Sequence, residues 1–355
     1  MTGDGKMLTG FLPSRKMILV ASVVLLAASF LLYTSAMLAT RYRVPAPELI
    51  VQTEMPKVRK PVDVGLAKHT TGASVKAKVE TEVLRDVVDN SKARSYLKRY
   101  NDLFNKNEKN LKVNPNDPSS IKTWWQAAAM IDWYINSPIR YRCKNRVAFG
   151  NWHVCQDEPY LVKKPCLVYS FGINFDFSFD DAMGKIGCEV HSFDPSMNTS
   201  DHKRNDNVTF HNMGLGSSNS DAFNPRRDMY VQDNQKWRMR TLKSVVQMLK
   251  HEQRVIDVLK IDVEGHEWAV MENMMETDMF QYVRQFMLEY HLFPTWPAKE
   301  DYVHLYKLYT KLREMGLREF AIGPHPKTLK VDKFNNQGDS EYINYFFKRK
   351  ENWRS

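Results

Sequence analysis

Two short apolar runs, Leu167–Ser170 and Cys188–Phe193, stop at Gly172 and at Asp194-Pro195, with a segment between them long enough for one crossover helix. Strand, helix and strand in that order make a βαβ unit, and this unit constrains the rest of the chain. A parallel crossover leaves the ends of both strands on one edge of the sheet, so Gly172 and Asp194 are predicted to face the same crevice. A glycine there lets backbone approach a ligand, and a carboxylate about twenty residues further on can accept both hydroxyls of a ribose.

The turn carries only Gly172, with Asn174 and Asp176 behind it, where a dinucleotide fingerprint has three glycines. That argues against a pyrophosphate cradle. A nucleoside without phosphates needs fewer close backbone approaches, and S-adenosylmethionine is the commonest cofactor of that kind. The same residues also read as an ordinary turn glycine and a helix-capping aspartate.

The chain has 355 residues, 43% of them hydrophobic, which is enough for one large or two modest domains. Residues 17–39 contain no charged side chain and exceed the roughly 20 residues a helix needs to cross a bilayer. The run is longer than the roughly 7–15 residues of a signal-peptide core, and no small-x-small site precedes Thr40, so an uncleaved anchor in membrane lipid is predicted. Lys6, Arg15 and Lys16 before the span balance Arg41 and Arg43 after it. The short leading tail favours a type II, single-pass arrangement, with the C-terminal domain in the lumen of the endoplasmic reticulum or Golgi.

Four cysteines permit disulfides in such a compartment, and Cys143 with Cys155 would close a small loop. Cys166 and Cys188 fall on buried strands, where cysteine behaves as a small hydrophobe. A zinc site from Cys143, His153 and Cys155 lacks the paired short spacings of structural zinc motifs, and no metal ligand set is assigned. The triplets beginning at Asn198 and Asn207 fit the glycosylation acceptor pattern. The net charge of +10 is scattered, much of it in the stem, and no RNA-binding signature accompanies it, so no nucleic-acid partner is expected.

Taken in order, the chain reads as a tail (1–16), the anchor (17–39), a stem (40–82), a helical N-terminal extension (83–140) and an α/β domain (141–350). The aromatic helix around Trp124–Tyr134 is predicted to pack on the core as a lid. Asn207–Met213 is a third strand ending at Gly214, and Ser217–Lys236 a polar surface loop. Thr241 caps a helix. A fourth strand ends in Asp262-Val-Glu-Gly-His, and a fifth, Val283–Leu292, carries Glu289 and His291 near its carboxyl end. Leu317–Ile322 and Tyr342–Lys348 are predicted to close the sheet as an antiparallel pair. An acidic pair at a strand's carboxyl end, Asp262 and Glu264, could position a substrate hydroxyl, hold a metal or bind a cofactor's cationic end. Glu264 also suits the start of the next helix by charge alone. His291 could act as a base or be a structural histidine.

The run Leu259-Lys-Ile-Asp-Val-Glu-Gly-His-Glu resembles the signature of FkbM-type S-adenosylmethionine-dependent methyltransferases. Val168-Tyr-Ser-Phe-Gly-Ile, His191-Ser-Phe-Asp-Pro and Gly150-Asn-Trp-His-Val-Cys look like the methyltransferase-like subgroup of animal proteins. The resemblance implies a Rossmann-like seven-strand, mostly parallel sheet with an antiparallel terminal hairpin. By position it implies that Ser170, Phe171 and Gly172 lie against the cofactor, Asp194 binds its ribose, and Met213 and Gly214 flank its adenine. Asp262 would close the methionine end or face a small hydroxylated or glycan acceptor, with Asp262, Glu264 and His291 assisting the transfer. The chain departs from the family at Asn174-Phe175, where a further glycine is frequent. A Golgi-type glycosyltransferase and a non-catalytic binding protein of the same fold are the rival readings.

Overall fold

The computed structural model describes residues 90–105, 112–137 and 139–347, so the predicted tail, anchor and stem lie outside the described residues. Among the described residues no helix is long and apolar enough to cross a membrane. The chain forms helices α1 (Asn90–Tyr100) and α2 (Trp124–Ile135), then a hairpin of β1 (Arg146–Phe149) and β2 (Trp152–Cys155). The predicted βαβ unit follows as β3 (Leu167–Phe171), α3 (Ser178–Lys185) and β4 (Glu189–Phe193). Next come β5 (His202–Lys203), β6 (Val208–His211), β7 (Gly214–Leu215), β8 (Ser220–Phe223), β9 (Trp237–Arg240) and α4 (Leu242–Met248). The last stretch holds β10 (Ile256–Ile261), α5 (Glu267–Glu276), β11 (Val283–Leu292), α6 (Tyr302–Glu314), β12 (Leu317–Pro324), β13 (Thr328–Leu329) and β14 (Phe334–Asn344).

The main sheet runs β12-β14-β11-β10-β3-β4-β6-β5, with β13 beside β14. From β11 through β10, β3 and β4 to β6 every pairing is parallel, and β14 is antiparallel to both β11 and β12. Side chains alternate across it as the period of two requires. Leu167, Tyr169, Phe171, Leu259 and Ile261 join one apolar cluster with α2, α4, α5 and α6. Val168, Val190, Val208 and Val258 join another with Phe179 and Met183 of α3 and Trp152 of the hairpin. Burial on both faces explains why the parallel strands read as short continuous apolar runs.

Four sequence expectations change. Among the described residues the main sheet has nine strands rather than seven, β5 and β13 being short additions, while the helix carrying Trp124 and Trp125 packs on the core as expected, with Trp125 to Ile135 buried and Tyr134 close to Tyr306 and Tyr309 of α6. The predicted loop Ser217–Lys236 contains β8, which joins β7 and β9 in a small second sheet. The final strand runs Phe334–Asn344 rather than Tyr342–Lys348, because the polar stretch from Asn335 to Ser340 is held through its backbone by β13, β11 and β12 in turn. Cys166 and Cys188 are not lone hydrophobes. They stand one residue before the paired positions Leu167 and Glu189, which sets their Cα atoms 4.5 Å apart, and they form a disulfide beside the expected Cys143–Cys155 bridge.

A histidine network is buried against β3, β4 and β6. His191 Nδ1 lies 2.9 Å from His211 Nε2, His191 Nε2 lies 3.0 Å from Glu189 Oε1, and the Tyr169 hydroxyl is 2.7 Å from His251 Nδ1. Burial, helped by neighbouring imidazoles and by Arg238 or Arg254, pushes His211 and His251 down to about 4, and burial also lowers His191. Between pH 6.5 and about 4 the unfolded chain therefore binds protons that the folded chain refuses, so stability falls as pH drops through that window. Relative to a His211→Gln, His251→Gln double variant, which carries the same buried carboxyls with raised pKa, the parent is expected to lose about 2–4 kcal/mol of unfolding free energy between pH 7 and pH 4.5, discounting the full shifts for partial solvent access. Parallel losses in parent and variant over that range would rule out neutral burial of these rings.

Candidate active site

The ends of β3, β4 and β10 meet at Gly172. Its N–H donates to the Phe193 carbonyl at 2.9 Å, and the Asp262 N–H donates to the Phe171 carbonyl at 3.1 Å. Gly172 has φ +83, and a Cβ there would sit 1.6 Å from the Asp262 carbonyl oxygen. Glycine is thus demanded first by protein backbone crossing protein backbone. Lys260, buried beneath, donates from Nζ to the Gly172 carbonyl at 2.6 Å and stands 3.9 Å from Asp262 Oδ2.

The turn beyond is held by Asp194. Its Oδ2 accepts the N–H groups of Ile173 (2.9 Å) and Asn174 (2.8 Å), while Oδ1 accepts the Ser196 N–H (2.8 Å) and hydroxyl (2.6 Å). These bonds keep Asn174 and Phe175 at φ 43 and 65, left-handed values unfavourable for side chains other than glycine. A carboxylate has about four acceptor positions, and here protein donors take them all.

Around these ends lies a crevice of about 190 Å³. Phe171, Gly172, Asp194, Gly214, Asp262 and Glu264 all line it, so most of the residues chosen from sequence come together. Three do not reach its wall. Ser170 is buried and bonds Asp180, which also accepts the Ser192 hydroxyl. Met213 is 1% exposed within the main core, and His291 is 2% exposed behind Glu289.

At the Asp262 end the charges are tightly coupled. His291 Nε2 lies 3.4 Å from Glu289 Oε1 and 3.8 Å from Glu264 Oε2, and Glu289 Oε1 is also 3.2 Å from His325 Nδ1. Burial pushes the Asp262 carboxyl well above the usual carboxylate range, with Glu289 and Glu264 adding to the effect and Lys260 and His291 opposing it. Burial raises Glu264 as well. Burial works against the Glu289 carboxylate too, but the hydrogen bond and charge of His291 hold it below its ordinary value. For His291 burial opposes the charged ring, yet Glu267 and Glu289 carry its pKa well up. Glu264 and Gly265 are both left-handed, at φ 54 and 95, and a Cβ on Gly265 would strike the Trp296 ring. That tight turn lets the strand end present Asp262 and Glu264 to one space.

Sequence reading missed the opposite wall. Arg226, Asp228 and Tyr230 come from the segment taken for a surface loop, Trp237 opens β9 just after it, and Phe193, Leu215 and Met239 complete an apolar side. The available signal was the aromatic and charged content of that insertion. Loop composition without periodicity does not say which way a segment folds back.

A sequence profile described as "Methyltransferase domain" matches residues 78–330. The chain is 30% identical over 181 residues to the human protein named "Probable methyltransferase-like protein 24", which covers 48% of this chain and 47% of that one. The rat protein of the same name is 30% identical over 187 residues, 49% of this chain and 48% of the relative. The chain spans about half the length of these curated relatives.

Replacing Gly172 with alanine is expected to lower unfolding free energy by about 2–4 kcal/mol, since both the contact with Asp262 and the positive φ oppose a Cβ. Thermal and denaturant unfolding measure it. A Gly172→Ala protein as stable as the parent would show that the strand ends do not meet as described.

Proposed function

We propose that this chain, which belongs to the methyltransferase-domain family, transfers the methyl group of S-adenosylmethionine to a hydroxyl of a glycan or small acceptor at the Asp262 end of the crevice. The observation that carries this reading is the convergence of Gly172, Asp194 and Asp262 on one crevice at the carboxyl edge, between β3 and β10, where open α/β sheets take their ligands. The donor set suits the cofactor. Phe193, Leu215 and Met239 offer an apolar face for adenine, and the Ser196 hydroxyl on Asp194 is the one donor a ribose hydroxyl can replace without moving backbone. Arg226 on the facing wall matches the carboxylate of the cofactor's methionine end.

When bound, the cofactor supplies an electrophilic methyl on a sulfonium. A carboxylate at the Asp262 end would take the acceptor hydroxyl's proton as its oxygen bonds the methyl carbon, and the electron pair of the broken carbon–sulfur bond would stay with sulfur. The protein has chiefly to hold the two reactants in line and exclude water. Asp262, Glu264 and Glu289 are the carboxylates that line the crevice at that end, and His291, screened from it, positions the two glutamates. The family match leaves the glycosyltransferase alternative without support of its own.

A lumenal, membrane-anchored setting through residues 17–39 is part of the proposal. It is supported by two disulfides, which persist in oxidising compartments, and by the exposure of Asn198 and Asn207.

Equilibrium dialysis of radiolabelled S-adenosylmethionine against the full-length protein is expected to give one site with a dissociation constant below about 100 μM, equivalent to more than about 5 kcal/mol. No binding at about 1 mM cofactor would end the enzymatic reading. Expressed in animal cells, the protein is expected to lose mass on endoglycosidase treatment, and less of it in Asn198→Gln and Asn207→Gln variants. An endoglycosidase-insensitive protein with free thiols would place the domain on the cytosolic side instead.

A further inference from the structure

Glu267 stands directly behind His291. It is fully buried, its Oε2 accepts the Gly265 N–H at 2.7 Å, and its Oε1 accepts the His291 N–H at 2.7 Å with the ring Nδ1 at 3.3 Å. The imidazole is therefore fixed from the rear, and its Nε2 is aimed forward at Glu289 and Glu264. Ligand atoms of Asp262, Glu264 and His291 all lie within 4.8 Å of one another.

This is how a metal-binding histidine is held. A carboxylate fixes the ring and its tautomer through one nitrogen, while the other nitrogen faces oxygen donors. With metal–ligand bonds of about 2.2 Å, donors around an octahedral ion sit about 3.1 Å apart when adjacent and about 4.4 Å when opposite. The observed spread is within about half an ångström of the opposite-donor distance, and the Asp262 and Glu264 side chains are 25% and 34% exposed at the crevice wall.

We propose that Asp262, Glu264, Glu289 and His291 form a binding site for one divalent transition-metal cation. One imidazole among carboxylates favours manganese or zinc over magnesium or calcium, which prefer all-oxygen sets. Lys260 neutralises Asp262 from below, 3.9 Å from its Oδ2, and leaves the crevice-facing oxygens to the ion. What the ion does rests on the methyl-transfer reading. It draws in the acceptor hydroxyl and makes its proton easier to remove, and it selects acceptors that chelate it through a second oxygen beside the reacting one. The acceptor class is then a vicinal diol or a hydroxy acid, both found in sugars.

The test uses full-length protein stripped with chelator and titrated with manganese chloride, the free ion being followed by electron paramagnetic resonance without cofactor or acceptor. One equivalent is expected, with a Kd that rises about 10–100-fold in Glu264→Gln and in His291→Gln. Glu264→Gln is the safer variant for folding, since its side chain is 34% exposed. His191→Gln, in the separate histidine network, is expected to leave the ion affinity unchanged. Zinc chloride measured by calorimetry repeats the test with the second metal. Failure of both ions to bind stoichiometrically, or binding indifferent to Glu264→Gln, overturns the site. Dialysis of S-adenosylmethionine on the same metal-free protein separates the two ideas. Cofactor binding without ion binding removes the cation alone, whereas ion binding without cofactor binding removes methyl transfer and leaves the site.

Discussion

The turn after β3 passes so near the backbone of Asp262 that a Cβ on Gly172 would lie 1.6 Å from its carbonyl oxygen. With no room for a Cβ at Gly172, the two strand ends are locked at a fixed separation, and the Phe171, Phe193 and Asp262 backbone groups bond across the junction. Everything above depends on that spacing: the turn that Asp194 gathers, the crevice, and the angle at which Asp262 enters it. Lys260 strengthens the junction from beneath by bonding the Gly172 carbonyl. A buried ammonium is costly unless it is partnered, and here the partners are a backbone carbonyl and the acidic group the crevice uses.

Asp194 and Glu267 show the same device at two scales. Each is a carboxylate almost removed from solvent, and each spends its lone pairs on protein donors, so that a neighbouring group is left free and correctly aimed. Asp194 sets the turn and keeps one replaceable hydroxyl. Glu267 sets a ring. The residues nearest the ligand space are oriented by acids that a contact list of the crevice would overlook.

Much of this was legible in the sequence, and the reasons differ by element. Parallel strands buried on both faces announce themselves as apolar runs ending in Gly172, Asp194 and Asp262, so the sheet and most of its ligand edge could be read. Ser170 and Met213 were placed in the site beside residues that belong there, but strand alternation turns Ser170 into the core, and Met213, in the link between β6 and β7, is buried there too. Cys166 and Cys188 looked like ordinary buried cysteines until the register of β3 and β4 made them neighbours. Arg226 and Tyr230 stand in a stretch without periodicity, and Glu267 acts across 24 residues through His291. Such pairings exist only after folding, and no spacing rule reports them.

The position of β14 in the sheet carries a kinetic implication. It lies between β11 and β12, which do not touch each other along their length, so β12 has no partner in the main sheet until a strand made after it arrives. β14 meets β12 across the short β13 link but reaches β11 only across α6 and β12, and that longer closure is the slow one because loop closure comes before its reward. During synthesis the half of the sheet holding the ligand edge can assemble early, while β12 waits as an unpaired edge open to misassociation.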